Sequence, residues 1–143
     1  MSVDEYPDSP QIAVGVVVIR DEKILLVKRR NPPGKGLWSI PGGRVELGET
    51  LKEAGEREVK EEAAVIIRAK DPVYTFDLIE RDDQGCVRFH YVIVDLLADY
   101  VSGKPKPSSD ACGARWVTPQ ELKELPVSRI TREFLKEIIQ FGG

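Results

Sequence analysis

From Ile12 the chain reads IAVGVVVIR, eight uncharged residues closed by Arg20. A short apolar run crowded with β-branched side chains predicts a buried strand. Residues 21–23, DEK, make a turn into ILLVKRR, a second strand, and the pair predicts a hairpin. Periodicity then stops. NPPGKGLWSIPGGRVELGE carries Pro32, Pro33, Gly34, Gly36, Pro41, Gly42, Gly43 and Gly48, the punctuation of a long structured loop. Thr50 with Glu53 three positions on is a capping box, opening a helix that runs to about Ala64. VIIRAKDPVYTFDLIE predicts a strand bent or bulged at Pro72. After the turn RDDQG comes the long strand CVRFHYVIVDLLADYV, then a loop, SGKPKPSSD, and a short strand, ACGARWV. TPQELKEL is a short helix with Thr118 as cap and Pro119 in its first turn. The amphipathic helix SRITREFLKEIIQF closes the chain, with Ile130, Phe134, Leu135, Ile138 and Ile139 on one side. Strands and helices alternate irregularly, so the expected class is α/β (α+β), a mixed sheet flanked by helices. Residues 1–10 are expected to be a mobile leader to a single domain spanning 11–143.

Three glutamates, Glu58, Glu61 and Glu62, crowd REVKEEAAV within the first helix. At 100° per residue from Leu51, Glu58 falls at about −20° and Glu62 at about +20°. Both lie beside the packing side marked by Gly55, Val59 and Ala63, and so aim inward. Glu53 and Glu56 fall on the outer side, among solvated charges, and so does Arg57. Like charges at i,i+4 cost roughly 0.2–0.5 kcal/mol even when exposed, and burial raises the cost. Oxygen-ligated Mg²⁺ removes that difficulty and draws substrate phosphates with it.

Composition narrows the partners. With 24 acidic against 21 basic residues the net charge is −3, so no broad basic field holds a nucleic acid polymer. No apolar run approaches the roughly 18 residues of a membrane span. The acidic opening MSVDEYPDSPQ lacks a signal peptide's basic and apolar segments. Cys86 and Cys112 lack metal-site spacing and read as small core residues of a reduced protein. A cytoplasmic location is expected.

Gly43, Glu49 and the run Arg57-Glu58-Val59-Lys60-Glu61-Glu62-Ala63-Ala64-Val65 together resemble the signature of the Nudix hydrolases, the MutT-like superfamily. Its members cleave a nucleoside diphosphate linked to another group. One fixed position departs: Ala64 stands where the family usually has Gly, in a place that favours left-handed backbone. The resemblance implies an α/β/α sandwich. It implies Glu58, Glu61, Glu62 and the Gly42 carbonyl as ligands of Mg²⁺ or Mn²⁺, Arg57 as their orienting cation, and Glu49 as support from the loop. RRNPPGKGLWSIPGG and SSDACGARWVTPQEL are similar to the ADP-ribose pyrophosphatase branch. There Glu often precedes Ala-Arg-Trp, where this chain has Gly113.

The expected reaction is metal-assisted hydrolysis of a pyrophosphate bond, with ADP-ribose giving AMP and ribose 5-phosphate. The alternatives are a nucleoside triphosphate pyrophosphohydrolase, including one acting on oxidised nucleotides, and a nucleotide-sensing module that does not hydrolyse. The general base is Glu58 or a loop acid, Glu80, Asp82, Asp83 or Asp110. Arg29 and Arg44 flank the Gly-rich loop as phosphate donors, and Asp110 joins them as a substrate-side candidate. Trp38, Tyr74 and Phe76 are base-stacking candidates that also read as core. His90, mid-strand, reads as packing. The closing helix is a candidate homodimer contact.

Overall fold

Strand β1 (Gln11–Arg20) is the axis of the molecule, a computed structural model that describes residues 5–142. Its side chains alternate between two cores. Val14, Val16 and Val18 enter one cluster, whereas Val17 enters another. β2 (Lys23–Arg29) divides likewise, with Leu25 and Val27 on one side and Ile24 and Leu26 on the other. An uninterrupted apolar run is what a strand covered on both faces requires. The hairpin turn between them places Asp21 and Glu22 at φ 52° and 63°, the two successive positive values of a type I′ turn.

The rest of the sheet grows from β1. The Gly-rich loop contributes β3 (Trp38–Ser39) and β4 (Gly42–Arg44), which a composition of Pro and Gly had concealed. β4 lies antiparallel to β1, with Gly43 opposite Val14. After α1 (Leu51–Ala63) come β5 (Ile66–Arg81) and β6 (Val87–Ser102), antiparallel to each other, with register shifts either side of Pro72. β6 runs parallel to β1, aligning Gly15 with Asp95. β7 (Ala111–Val117) pairs with β2, and the mixed sheet is complete. α1 covers the Val14–Val16–Val18 face. α2 (Pro119–Glu124) and α3 (Arg129–Phe134) lie on the Val17–Ile24 side, where Leu122 and Phe134 join that second core.

Four expectations change. The closing helix is not continuous: α3 gives way to a π-helical turn (Leu135–Ile139). The switch to i→i+5 bonding breaks the 3.6-residue count after Phe134, and Ile138 is exposed while Phe134 and Leu135 are buried; Ile130, in the first turn of α3, is exposed as well. Both cysteines are exposed and free, not core residues. Cys86 sits in the β5–β6 turn and Cys112 on a strand position turned outward. Glu56, expected to be solvated, is half-buried and accepts the Ala69 amide at 2.9 Å, tying α1 to β5. Within the leader, residues 1–4 lie outside the described ones, but the Tyr6 amide donates to the Arg88 carbonyl at 2.8 Å and Glu5 pairs with Arg88 at 3.0 Å.

Both capping boxes form as read, at Thr50/Glu53 and Thr118/Glu121. Ala64 ends α1 in the left-handed conformation, φ 59° and ψ 25°. A Cβ in that well costs roughly 1–2 kcal/mol, part of which Gly returns as unfolded-chain entropy. Ala64→Gly is therefore expected to stabilise the protein by about 0.5–1 kcal/mol, raising the melting temperature by about 1–4 °C. Thermal unfolding followed by circular dichroism measures it; a lower melting temperature would show that the cap carries no strain.

Candidate active site

The inward phase of α1 is realised in full. Glu58 and Glu62 are 2% and 1% exposed, whereas Glu61, on the outer flank, is exposed. What brings them to a usable surface is β4. The Gly42 amide donates to Glu62 Oε1 at 2.9 Å. A Cβ on Gly43 would lie 2.5 Å from the Glu58 carboxylate, and one on Gly42 would collide with the Val14 carbonyl oxygen. Backbone alone fits between β1 and the glutamates, which explains why two glycines stand there.

Arg57 organises the cluster although its phase points outward, because the 44–49 segment folds over that side of α1. Its Nε and Nη2 donate to both oxygens of Glu49 at 2.6 and 2.9 Å, a bidentate pair. Nη2 also reaches the Arg44 carbonyl at 2.9 Å, and Nη1 reaches Glu58 at 2.7 Å and Glu61 at 3.2 Å. The guanidinium holds Glu49 below the ordinary carboxylate range. Burial pushes Glu58 upward against the opposing pull of Arg57. Burial also takes Glu62 to about 7, with Glu58 adding repulsion and the Gly42 amide opposing.

Among the described residues no three acidic, His or Cys side chains converge as a finished cation cage, although Glu58, Glu61 and Glu62 are the expected ligands. The cause is visible. Arg57 draws Glu58 Oε1 and Glu61 to itself, and Gly42 takes Glu62 Oε1. Glu58 Oε2, however, is buried with no hydrogen-bond partner. An anionic oxygen without a donor, beside a second buried carboxylate, is the donor chemistry a hard divalent cation takes.

On the other side of Gly42 and Gly43 opens a cleft of about 540 Å³. Its floor is the face of β1, β6 and β5 opposite α1, including Ala13, Gly15, Ile93, Asp95, Phe76 and Leu78. Arg29, Leu37 and Ile40 come from β2 and the Gly-rich loop, and Phe134 from α3. On the outer flank of α1, Arg57, Lys60, Glu61 and Lys106 border a second hollow of about 620 Å³. The acidic edge lies between the two.

The remaining sequence candidates separate cleanly. Arg29 lines the cleft; its Nε donates to the Pro33 carbonyl at 2.6 Å, and Nη2 is buried without a partner. Arg44 meets the cluster through its backbone, as strand partner of Ala13 and acceptor for Arg57. Asp110 accepts from Asn31 at 3.3 Å, and its carbonyl accepts the Arg30 amide, so it braces the Gly-rich loop. Asp82 caps its own turn, taking the Gln84 and Cys86 amides and the Tyr6 hydroxyl. Of the other loop acids, Glu80 lines the cleft and Asp83 is exposed on the turn. Trp38 belongs to the core, whereas Phe76 and Phe134 line the cleft and each ring lies within 5.7 Å of Tyr74. A Cβ at Gly113 would sit 2.8 Å from the Trp38 ring, so a glutamate there requires Trp38 to move. His90 is a half-buried strand residue opposite Ile79. Sequence reading missed Asp95, 2% exposed on the cleft floor, because nothing local marks it.

A helix edge of buried glutamates, laid against a glycine strand beside a cleft, has the donor chemistry to hold a divalent cation next to a bound ligand. Residues 9–138 match the NUDIX domain family, and the chain belongs to it as a Nudix hydrolase. It is 34% identical over 129 residues to the ADP-ribose pyrophosphatase of Methanocaldococcus jannaschii, covering 89% of this chain and 74% of that protein. It is 30% identical over 131 residues to the phosphatase NudJ of Escherichia coli, covering 92% and 82%. The crystal structure of a MutT NUDIX hydrolase from Burkholderia pseudomallei superposes with a TM-score of 0.77 at 30% identity, covering 92% of this chain and 99% of that one.

Proposed function

We propose that the protein hydrolyses the pyrophosphate bond of a nucleoside diphosphate derivative, with ADP-ribose as substrate and AMP and ribose 5-phosphate as products. The observation that carries this reading is the unpartnered, buried Glu58 Oε2, packed against Gly43, which itself lines the cleft. Support for the substrate comes from the archaeal relative, an ADP-ribose pyrophosphatase at 34% identity. Glu58, Glu62, Glu61 and the Gly42 carbonyl would hold the divalent cation, Mg²⁺ or Mn²⁺, which supplies positive charge against the diphosphate oxygens and acidifies water.

The chain's own groups do the rest. Arg57 fixes the Glu58 carboxylate by its Oε1, leaving Oε2 oriented away from the guanidinium. Glu49 holds Arg57 in turn, so Glu49 acts through Arg57. The Arg29 Nη2 is a desolvated donor that would meet a phosphate oxygen, where a charged hydrogen bond is worth more than in water. The apolar floor of the cleft excludes water from the nucleoside end. Attack by water at phosphorus releases one proton to a carboxylate; Glu58 and the cleft-lining Glu80 are the candidates to receive it, whereas Asp82 is committed to its turn.

Incubation with ADP-ribose and, separately, a panel of nucleoside triphosphates in Mg²⁺, with products separated by ion-exchange chromatography, tests the reading. AMP and ribose 5-phosphate are expected in equal amounts, with ADP-ribose favoured at least about tenfold in kcat/KM. Brisk triphosphate cleavage without ADP-ribose turnover would overturn the substrate. Nucleotide binding without any phosphate-bearing product would overturn hydrolysis.

A further inference from the structure

Asp95 is a buried carboxyl that the site described above does not use. It stands mid-strand in β6, 2% exposed, and no hydrogen bond or ion pair among the described residues reaches its carboxyl. A structural aspartate buried this deeply is ordinarily satisfied by donors. Burial alone raises it to about 7, so the protonated form, a donor and an acceptor side by side, is well populated at neutral pH.

The surroundings are shaped around that carboxyl. Strand register sets it beside Gly15 of β1, where a Cβ would collide with Asp95 Oδ1 and come within 2.8 Å of Ile40. Gly15 is therefore the clearance that lets the side chain face the cleft instead of being covered. Along the same face of β6, Ile93 and Tyr91 follow at alternate positions, spaced roughly 7 Å apart. The Tyr91 hydroxyl, on a residue 3% exposed, is also buried with no partner. Phe76, Leu78 and Ile93 supply flat apolar floor between them. Polar groups without partners, set on an apolar floor, are the usual make-up of a site that orients a heteroaromatic ligand.

We propose that Asp95 is a specificity-determining residue of this cleft, its carboxyl pairing with the hydrogen-bonding edge of a 6-aminopurine base while the diphosphate extends toward Gly42 and Gly43. This rests on the nucleoside diphosphate reading above and deepens it. The chemistry is complementary: a protonated carboxyl gives its O–H to a ring nitrogen and accepts from the adjacent exocyclic amine. An asparagine amide offers the same donor and acceptor; leucine keeps the branch at Cγ but offers neither and is larger, and alanine offers neither and is smaller.

The test is binding, measured by titration calorimetry in Mg²⁺, of AMP and of purine riboside 5′-monophosphate, which lacks only the exocyclic amine. Wild type is expected to bind AMP at least tenfold more tightly than the analogue. Asp95→Asn should keep that ratio within about threefold, and Asp95→Leu should bring it close to one. Asp95→Ala carries the same comparison if the leucine variant does not fold. An unchanged ratio in Asp95→Leu or Asp95→Ala, no preference in wild type, or tighter binding of GMP than of AMP overturns the inference. Because AMP binding is read without turnover, the outcomes separate. ADP-ribose hydrolysis with an unmoved ratio sinks the Asp95 role alone, and a shifted ratio without hydrolysis sinks the proposed reaction alone.

Discussion

Glu62→Gln is expected to lower turnover by more than about 100-fold while leaving the metal-free protein as stable as wild type or more so. Loss of even a residue supporting a metal ligand costs roughly 10–100-fold, and Glu62 is itself a proposed ligand. The stability half of the prediction follows from burial. A carboxyl at 1% exposure, raised from 4.5 to about 7, favours its neutral form in the folded state. The unfolded chain releases the proton near 4.5 and the folded chain near 7, so wild-type stability falls as pH rises through that window and levels off above it. At ~1.4 kcal/mol for each tenfold change, the loss is about 3 kcal/mol at most. Glutamine keeps an acceptor for the Gly42 amide and removes the repulsion from Glu58. Urea unfolding of both proteins with chelator at pH 5 and pH 8 measures it. The variant should lack most of the fall seen in wild type. A variant markedly less stable than wild type at pH 8 would make Glu62 a structural ion-pair partner.

Arg57→Ala is expected to be the most destabilising single change in the site and to abolish most activity. Among the described residues Arg57 is the only hydrogen-bond partner of the buried Glu58 Oε1, and it grips Glu49 with two hydrogen bonds. Removing one member of a buried pair typically costs about 3–5 kcal/mol, because the charge left behind keeps its desolvation penalty. Its side chain is 23% exposed, which places the expected loss at the lower end, about 3 kcal/mol. Arg57→Lys should recover only part, since an ammonium cannot reproduce the fork that meets Glu49. The double variant Arg57→Ala/Glu58→Gln should regain about 1–2 kcal/mol over Arg57→Ala by discharging the stranded carboxylate. Additivity of the two substitutions in urea unfolding would show that the pair is not coupled and that Arg57 stabilises through its packing alone.

Local rules carried much of this structure. The capping boxes at Thr50 and Thr118, the hairpin at residues 21–22 and the inward phase of Glu58 and Glu62 depend on neighbours within a few positions. Each of these stands as read. Where the backbone left the assumed period, reading failed: the π-helical turn after Phe134 accompanies Ile138 in solvent. Glycine-rich composition read as loop hid β4, whose pairing with β1 requires glycine for close approach. Arg57 looked peripheral by phase because the segment that folds over it is read from contacts, not periodicity.

Sequence by itself determined the family signature, the capped helix and the direction of two of its acids, since helical geometry converts spacing into orientation without knowledge of distant residues. Tertiary structure alone decided that Glu58 keeps one oxygen without a donor, that a cleft opens past Gly42 and Gly43, and that Asp95 faces it. Those facts come from β1 lying parallel to β6 and antiparallel to β4. Such pairings join residues far apart in the chain, and no local periodicity encodes which strand a given edge will meet.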